Sequence, residues 1–347
     1  MDRITSERQR AERLFEVTEG LYRIPLPTDF PVGDVNVYFL DGPDPVLVDT
    51  GVTGKRTLAC LAEALDALGR GISSLRTVLL THTHVDHAGA ARAIRELAGC
   101  EVRAHPRGIE RLDDVEAKFE RDAPWFLEFV RRSGLSAEVV EKYTSMSRVF
   151  LRYLQSCPGI LPVRGGEVLE LGGGRRLAVH EAFGHTTNQV VYLLEDAGVL
   201  FTGDHVLPEI TSNPTLEAPG SEDREKLRPL VLYQESLSRI GALPAKIACP
   251  GHGRPFADLA GRCREIALHQ RDRAERVRSL LQAGGRMTRK DLSLALFGRV
   301  RLWDLYLTLS EVQAAVELLE AEGKVRVLSE GEVDWIEASP SGDSARA

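Results

Sequence analysis

Four residues that can donate to a metal fall within six positions of this chain: His82, His84, Asp86 and His87, in the run Thr81-His82-Thr83-His84-Val85-Asp86-His87. Imidazole nitrogen and carboxylate oxygen are the donors that borderline divalent ions such as zinc prefer. On a loop leaving a strand, residues two apart point the same way, so His82 and His84 can address one ion together. Asp86 and His87, past the turn, can address a second ion beside it. If buried without a cation, four such groups at this density would be poorly solvated. The chemistry implied is activation of water by metal.

The elements that must hold this loop can be read on either side of it. Residues 78–80 are a short apolar run, read as a buried strand, and the small, helix-forming stretch 88–97 follows. The cluster therefore sits on a strand-to-helix loop. Upstream, residues 21–24, 35–40 and 45–49 have strand composition, and Leu58, Leu61, Leu65 and Leu68 recur at helical spacing with Gly69 as a stop. Residues 108–163 change character and read as a helical insertion carrying Trp125, Phe126, Phe129, Val130, Tyr143, Phe150 and Tyr153. Those aromatics either pack the insertion's own core, the plainer reading, or form a lid or a homodimer surface. Strands return at 177–182, 190–194, 199–202 and 247–249. From 262 to 337 the pattern is three helices and a hairpin: a long charged helix from near Cys263, a short one opened by residues 287–290, one from Ser310 to Glu322 capped by Ser310, and strands about Glu330-Gly331. That is the winged-helix pattern. Residues 1–12 and 338–347 read as flexible tails.

Bulk properties narrow the function classes. The chain has 347 residues, 43% hydrophobic and 27% charged, with a formal charge of −7. That charge speaks against a globally electrostatic nucleic-acid binder. No apolar run reaches the length of a membrane span, and the N-terminus lacks the apolar core of a secretory signal. Five scattered cysteines without a CxxC pair read as reduced thiols of a cytoplasmic protein.

The HxHxDH run after a buried strand resembles the signature of the metallo-β-lactamase superfamily, over about residues 13–261. Later motifs of that family stand in the same order: Asp49-Thr50-Gly51, Gly184-His185-Thr186, Phe201-Thr202-Gly203-Asp204 and Pro250-Gly251-His252-Gly253. The resemblance implies an α/β fold, a four-layer αββα sandwich with the helical insertion and the C-terminal winged-helix domain appended. It implies one ion held by His82, His84, His185 and Asp204, and another by Asp86, His87, His252 and the same Asp204. Two zinc ions are expected, with iron or manganese compatible with the same donors, and a hydroxide between them as nucleophile. Asp86 would also orient or accept the proton of that water, making it the catalytic residue. Asp49 would brace the metal loop. His205, next to Asp204, either reaches the substrate or packs. His180 and His269 read as scaffold, and His105 as a hydrogen-bonding residue near the loops.

Departures within the resemblance discriminate further. Diiron relatives carry glutamate where His84 stands, and β-lactamases usually lack the bridging aspartate, so neither chemistry is expected. The pattern is similar to that of glyoxalase II-like hydrolases, with a tail like that of relatives that include carrier-protein thioesterases and small endoribonucleases. From residue 269 to 337 eleven basic residues face twelve acidic ones, which is not the basic stripe of an RNA-binding module. The expected activity is hydrolysis of a small activated carbonyl, a thioester first, on a small-molecule or carrier-linked acyl substrate. The alternatives are a metal-dependent endoribonuclease and a mononuclear iron persulfide dioxygenase.

Overall fold

The computed structural model describes residues 14–220 and 227–340. Two sheets face each other. The first has seven strands in sequential order: β1 (Phe15–Thr18), β2 (Leu21–Leu26), β3 (Val35–Leu40), β4 (Val46–Val48), β5 (Thr77–Leu79), β6 (Glu101–Ala104) and β7 (Leu161–Pro162). It is antiparallel up to β4 and parallel from there to β7. The second holds β8 (Val168–Glu170), β9 (Arg176–Glu181), β10 (Val190–Leu194), β11 (Val199–Gly203) and β12 (Ile247–Pro250), in the order β12-β11-β10-β9-β8.

The pleat explains why β3 and β10 are buried at every residue. In β3, Val35, Val37 and Phe39 point to one apolar cluster while Tyr38 and Leu40 point to another. In β10, Val191 and Leu193 face outward, and Val190, Tyr192 and Leu194 face the other sheet. Strands buried on both faces need a layer on each side. Helices α1 (Lys55–Asp66), α2 (Val85–Ala88) and α3 (Ala91–Ala98) cover the first sheet. The four-layer αββα sandwich read from the sequence is the fold.

Residues 106–147 form α4 (Pro106–Asp113), α5 (Val115–Arg132) and α6 (Ala137–Ser147). Helices α7 (Pro229–Gly241) and α8 (Leu259–Gly284) cover the second sheet. They are followed by α9 (Arg289–Phe297), α10 (Leu305–Ala321) and a hairpin of β13 (Val325–Glu330) and β14 (Val333–Ala338). The apolar residues of α10 are continuous with the cluster outside the second sheet.

Several expectations need correction. The helix placed at 310–322 begins at Leu305, and Ser310 is no cap: it is buried inside the helix, where its hydroxyl accepts the Leu216 N–H at 3.3 Å. The single helix at 88–97 is two, broken at Gly89, where a Cβ would lie 2.5 Å from the Tyr153 carbonyl and 2.6 Å from the Thr53 nitrogen. Strand β7 closes the helical insertion onto the first sheet, a pairing too short to show a period. Residue 338, read as the start of a tail, ends β14; residues 1–12 and 341–347 lie outside the described residues.

The insertion's aromatics pack neither alone nor as a free surface. Phe129, Val130, Val139, Val140 and Tyr143 share a cluster with Leu302, Leu305 and Leu309. Trp125 stacks on Phe129 at 5.9 Å, and Phe126 meets Tyr306 edge-on at 6.0 Å. The side chain of Phe150 lies outside the described residues. Asp334 then ties the parts together, bonding Arg132 of α5 at 2.7 Å and the buried Arg289 of α9 at 2.9 Å. All five cysteines are free, and among the described residues no helix is long and apolar enough to cross a membrane.

Candidate metal centre

The site forms where strand ends meet. β5 delivers the loop that carries His82 and His84, and α2 carries Asp86 and His87 on its single turn. β11 and β12 run parallel and end side by side, presenting Asp204 and His252; the Gly251 N–H donates to the Gly203 carbonyl at 2.8 Å. His185 comes from the turn between β9 and β10. The fold thus brings all seven sequence-selected residues to one place, from segments up to 170 positions apart.

The distances describe a nest of donors. His84 Nδ1 lies 3.1 Å from His82 Nε2 and 3.0 Å from His185 Nε2. His87 Nε2 is 3.2 Å from Asp204 Oδ1, and His252 Nε2 is 3.4 Å from Asp86 Oδ2 and 3.7 Å from Asp204 Oδ2. Three overlapping groups, His82-His84-His185, His82-His87-Asp204 and Asp86-His87-His252, each keep their donor atoms within 4.8 Å of one another. His82 and His87 each fall in two of these groups, so the protein atoms form one continuous nest.

Hydrogen bonds on the far side of each ring decide which nitrogen faces inward. His185 Nδ1 donates to the Asn213 carbonyl at 2.7 Å, and His252 Nδ1 to the Asp34 carbonyl at 2.9 Å. A carbonyl can only accept, so each Nε2 carries a lone pair into the site. Asp49 accepts from the Thr81 N–H, the Thr81 hydroxyl and His87 Nδ1, all at 2.8 Å. With its proton given to Asp49, the Thr81 hydroxyl accepts from His82 Nδ1 at 3.1 Å. The lone pairs of His82, His87, His185 and His252 therefore converge.

Convergent lone pairs repel unless a cation lies among them. His87 Nε2, Asp204 Oδ1 and His252 Nε2 are buried with no hydrogen-bond partner. Leaving such atoms unsatisfied costs about 1–3 kcal/mol each. The donor set, the tautomers and the orphaned atoms together fit divalent metal. Burial, then the neighbouring His87 and His84, pushes His82 well below the ordinary imidazole range; burial, His185 and the Arg111 guanidinium do the same to His84. Burial works against positive charge on His87 too, but Asp204, Asp49 and Asp86 outweigh it and hold that ring well above its usual value, so a proton takes its Nε2 lone pair wherever a metal ion does not. Burial would raise Asp204, yet His87 and His252 hold its carboxyl well below the usual carboxylate range.

A sequence model of the metallo-beta-lactamase superfamily matches residues 30–252, which contain the whole nest. The chain belongs to that superfamily. It is 32% identical over 316 residues to a probable metallo-hydrolase of Bacillus subtilis, YqjP, covering 90% of this chain and 96% of that one. A metallo-beta-lactamase family protein from Thermus thermophilus superposes with a TM-score of 0.78 at 31% identity, covering 93% of this chain and all of the other. An atrochrysone carboxyl ACP thioesterase of Aspergillus fumigatus is 26% identical over 286 residues, covering 79% of this chain and 71% of that one.

The remaining histidines lie elsewhere in this superfamily fold. His205 is turned away from the nest: its ring lies 4.7 Å from Tyr233, and Nε2 meets Ser236 Oγ at 3.1 Å. Burial pushes it down to about 3. It packs under α7 and does not reach the substrate side. His105 caps α4 by accepting from the Arg107 N–H, His180 lies half-buried on β9, and His269 is exposed on α8 beside Arg273. Sequence reasoning passed over Asn188, whose side-chain oxygen accepts from the Thr83 N–H at 3.0 Å and so fixes the backbone between His82 and His84. The signal was available, since Asn188 stands three residues after His185.

Close packing makes one backbone position critical. A Cβ on Gly251 would lie 2.3 Å from Asp204 Oδ1 and 2.6 Å from His87 Cε1. Gly251→Ala is therefore expected to lower metal affinity by at least about tenfold, as disturbed supporting contacts do, while leaving the far-ultraviolet circular dichroism unchanged. Competition with a chromogenic chelator measures it; wild-type affinity in the variant would mean the nest tolerates a displaced Asp204.

Proposed function

We propose that this metal-dependent hydrolase cleaves thioesters, small or carrier-linked, at a centre holding two zinc ions. The observation that carries the centre is the convergence of inward lone pairs with the Asp204 and Asp86 carboxylates. His82, His84, His185 and Asp204 would hold one ion, and Asp86, His87, His252 and Asp204 the other. When bound, such a pair supplies water ionised near neutral pH and a Lewis acid for the substrate carbonyl. The thioester reading is supported by the similarity to a fungal ACP thioesterase.

The chain's own residues then divide the work. Asp86, 3.4 Å from His252 within the nest, would orient the attacking water and accept its proton. Oxygen adds to the thioester carbon, the C–S bond breaks, and the products are a carboxylic acid and a thiol. A thiolate leaves at a pKa of about 8.5, so the leaving group needs little acid assistance. Asp49 keeps His87 in one tautomer, and the Asn213 and Asp34 carbonyls do so for His185 and His252. The helix-and-hairpin end, which we read as a winged helix, supports the insertion beside the site in preference to binding RNA; the shared cluster with α5 and α6 favours that role. The free cysteines favour a cytoplasmic setting.

Zinc-reconstituted protein is expected to hydrolyse acyl thioesters of coenzyme A, glutathione or a phosphopantetheine carrier, with turnover abolished by chelator and restored by zinc. Turnover on none of them, with cleavage of single-stranded RNA instead, would replace this reading by the nuclease one.

A further inference from the structure

His185 is held by one short stretch of chain, residues 213–217, which joins no sheet or helix. Its odd-numbered residues grip the turn that carries the histidine. The Asn213 carbonyl accepts from the ring at 2.7 Å. Thr215 donates its N–H and its hydroxyl to the His185 carbonyl, at 2.9 and 2.6 Å. Glu217 accepts the N–H and the hydroxyl of Thr187. Ring and backbone of His185 are thus fixed from the same segment.

The segment itself is fixed from α10. Leu216 is buried, and irregular backbone in a buried place needs partners for both its polar groups. The Tyr306 hydroxyl donates to the Leu216 carbonyl at 2.6 Å, and the Ser310 hydroxyl accepts the Leu216 N–H at 3.3 Å. Tyr306 and Ser310 stand four residues apart and share one face of the helix. The Asn213 side chain adds a third tie, donating to the Leu307 carbonyl at 3.3 Å. Helix α10 is in turn anchored in the apolar cluster outside the second sheet, and the Tyr306 ring meets Phe126 of the insertion edge-on.

We propose that Tyr306 and Ser310 are positioning residues for His185, acting through Leu216, so that the C-terminal helices complete the metal centre as well as supporting the insertion. This rests on the metal-centre reading given above. A His185 ring freed to tilt presents its Nε2 less well to an ion, so the loss should appear in metal affinity.

The test follows the His185 Nδ1–H proton by nuclear magnetic resonance of the zinc-loaded, histidine-labelled protein, the signal being identified by its loss in His185→Gln. Tyr306→Phe keeps the ring against Phe126 and removes only the donor. It is expected to speed exchange of that proton with water by about tenfold, as loss of one hydrogen bond allows. Zinc affinity in chelator competition should fall by about tenfold as well. Ser310→Ala should move both quantities in the same direction. Tyr38→Phe is the comparison: the Tyr38 hydroxyl donates to the Pro250 carbonyl at 2.8 Å, two residues before His252. It removes a like bond on the other side of the nest and should leave the His185 proton at its wild-type rate. Wild-type exchange or wild-type affinity in Tyr306→Phe overturns the proposal. An equal rise in exchange in Tyr38→Phe also overturns it, since that would be general loosening. If the wild type binds no zinc, the metal-centre reading fails by itself, and exchange of the same proton in the metal-free protein then decides for Tyr306.

Discussion

Replacing Asp204 with alanine is expected to empty the centre of metal and to lower kcat/KM by on the order of 10³-fold, about 4 kcal/mol of transition-state stabilisation. The size follows from position. Asp204 Oδ1 lies 3.2 Å from His87 Nε2, while Oδ2 lies 3.8 Å from His185 and 3.7 Å from His252. One carboxylate thus faces histidines assigned to both ions. Without it, imidazoles with converging lone pairs are left around a cavity whose negative charge has fallen to that of Asp86. Asp204→Asn keeps the volume and one acceptor oxygen but removes the charge, so it should retain more metal than the alanine variant and still turn over slowly. Elemental analysis beside steady-state kinetics checks both. Wild-type metal content and turnover in Asp204→Ala would remove the shared carboxylate from the account.

The second large effect is expected at Asp49, which supports the metal residues from behind. Its carboxylate is buried and accepts three hydrogen bonds, two from Thr81 and one from His87. Asp49→Ala leaves the Thr81 N–H and His87 Nδ1 buried without an acceptor, a loss of about 3 kcal/mol in stability. It also frees the His87 ring to turn, which should weaken metal binding by about 10- to 100-fold. The backbone at Asp49 has φ of 63°, a left-handed value that asparagine accepts readily. Asp49→Asn should therefore fold nearly as well as the wild type while still losing metal affinity, because its amide can present only one acceptor oxygen. Urea unfolding of the metal-free proteins and chelator competition on the loaded ones separate the two quantities. Equal stability and affinity in Asp49→Ala would show that the loop holds itself.

The run from His82 to His87 was legible because its chemistry is local: four donors on one loop need no tertiary information. His185, Asp204 and His252 became legible through the family's order of motifs, and the two parallel strands β11 and β12 are what set the last two side by side. What the sequence could not carry lies in backbone groups. The Asn213 and Asp34 carbonyls that orient His185 and His252 have no side-chain signature, since any residue supplies a carbonyl. The direction of the His205 ring likewise depends on Ser236 and Tyr233, from a helix some thirty residues on. Periodicity failed where length or tertiary bonding overruled it. The two residues of β7 are too few for a pattern, and the Ser310 hydroxyl, read as a cap, is spent on the Leu216 N–H. The insertion's aromatics posed a choice between lid and self-packing that composition cannot make; their partners on α10 lie nearly two hundred residues further on.

The most direct test of the central claim is the metal content of each chain after zinc reconstitution and removal of free ions. Two zinc ions per chain are expected, falling together when Asp204 is replaced. One ion per chain, with Asp86, His87 and His252 left vacant, would contradict the claim.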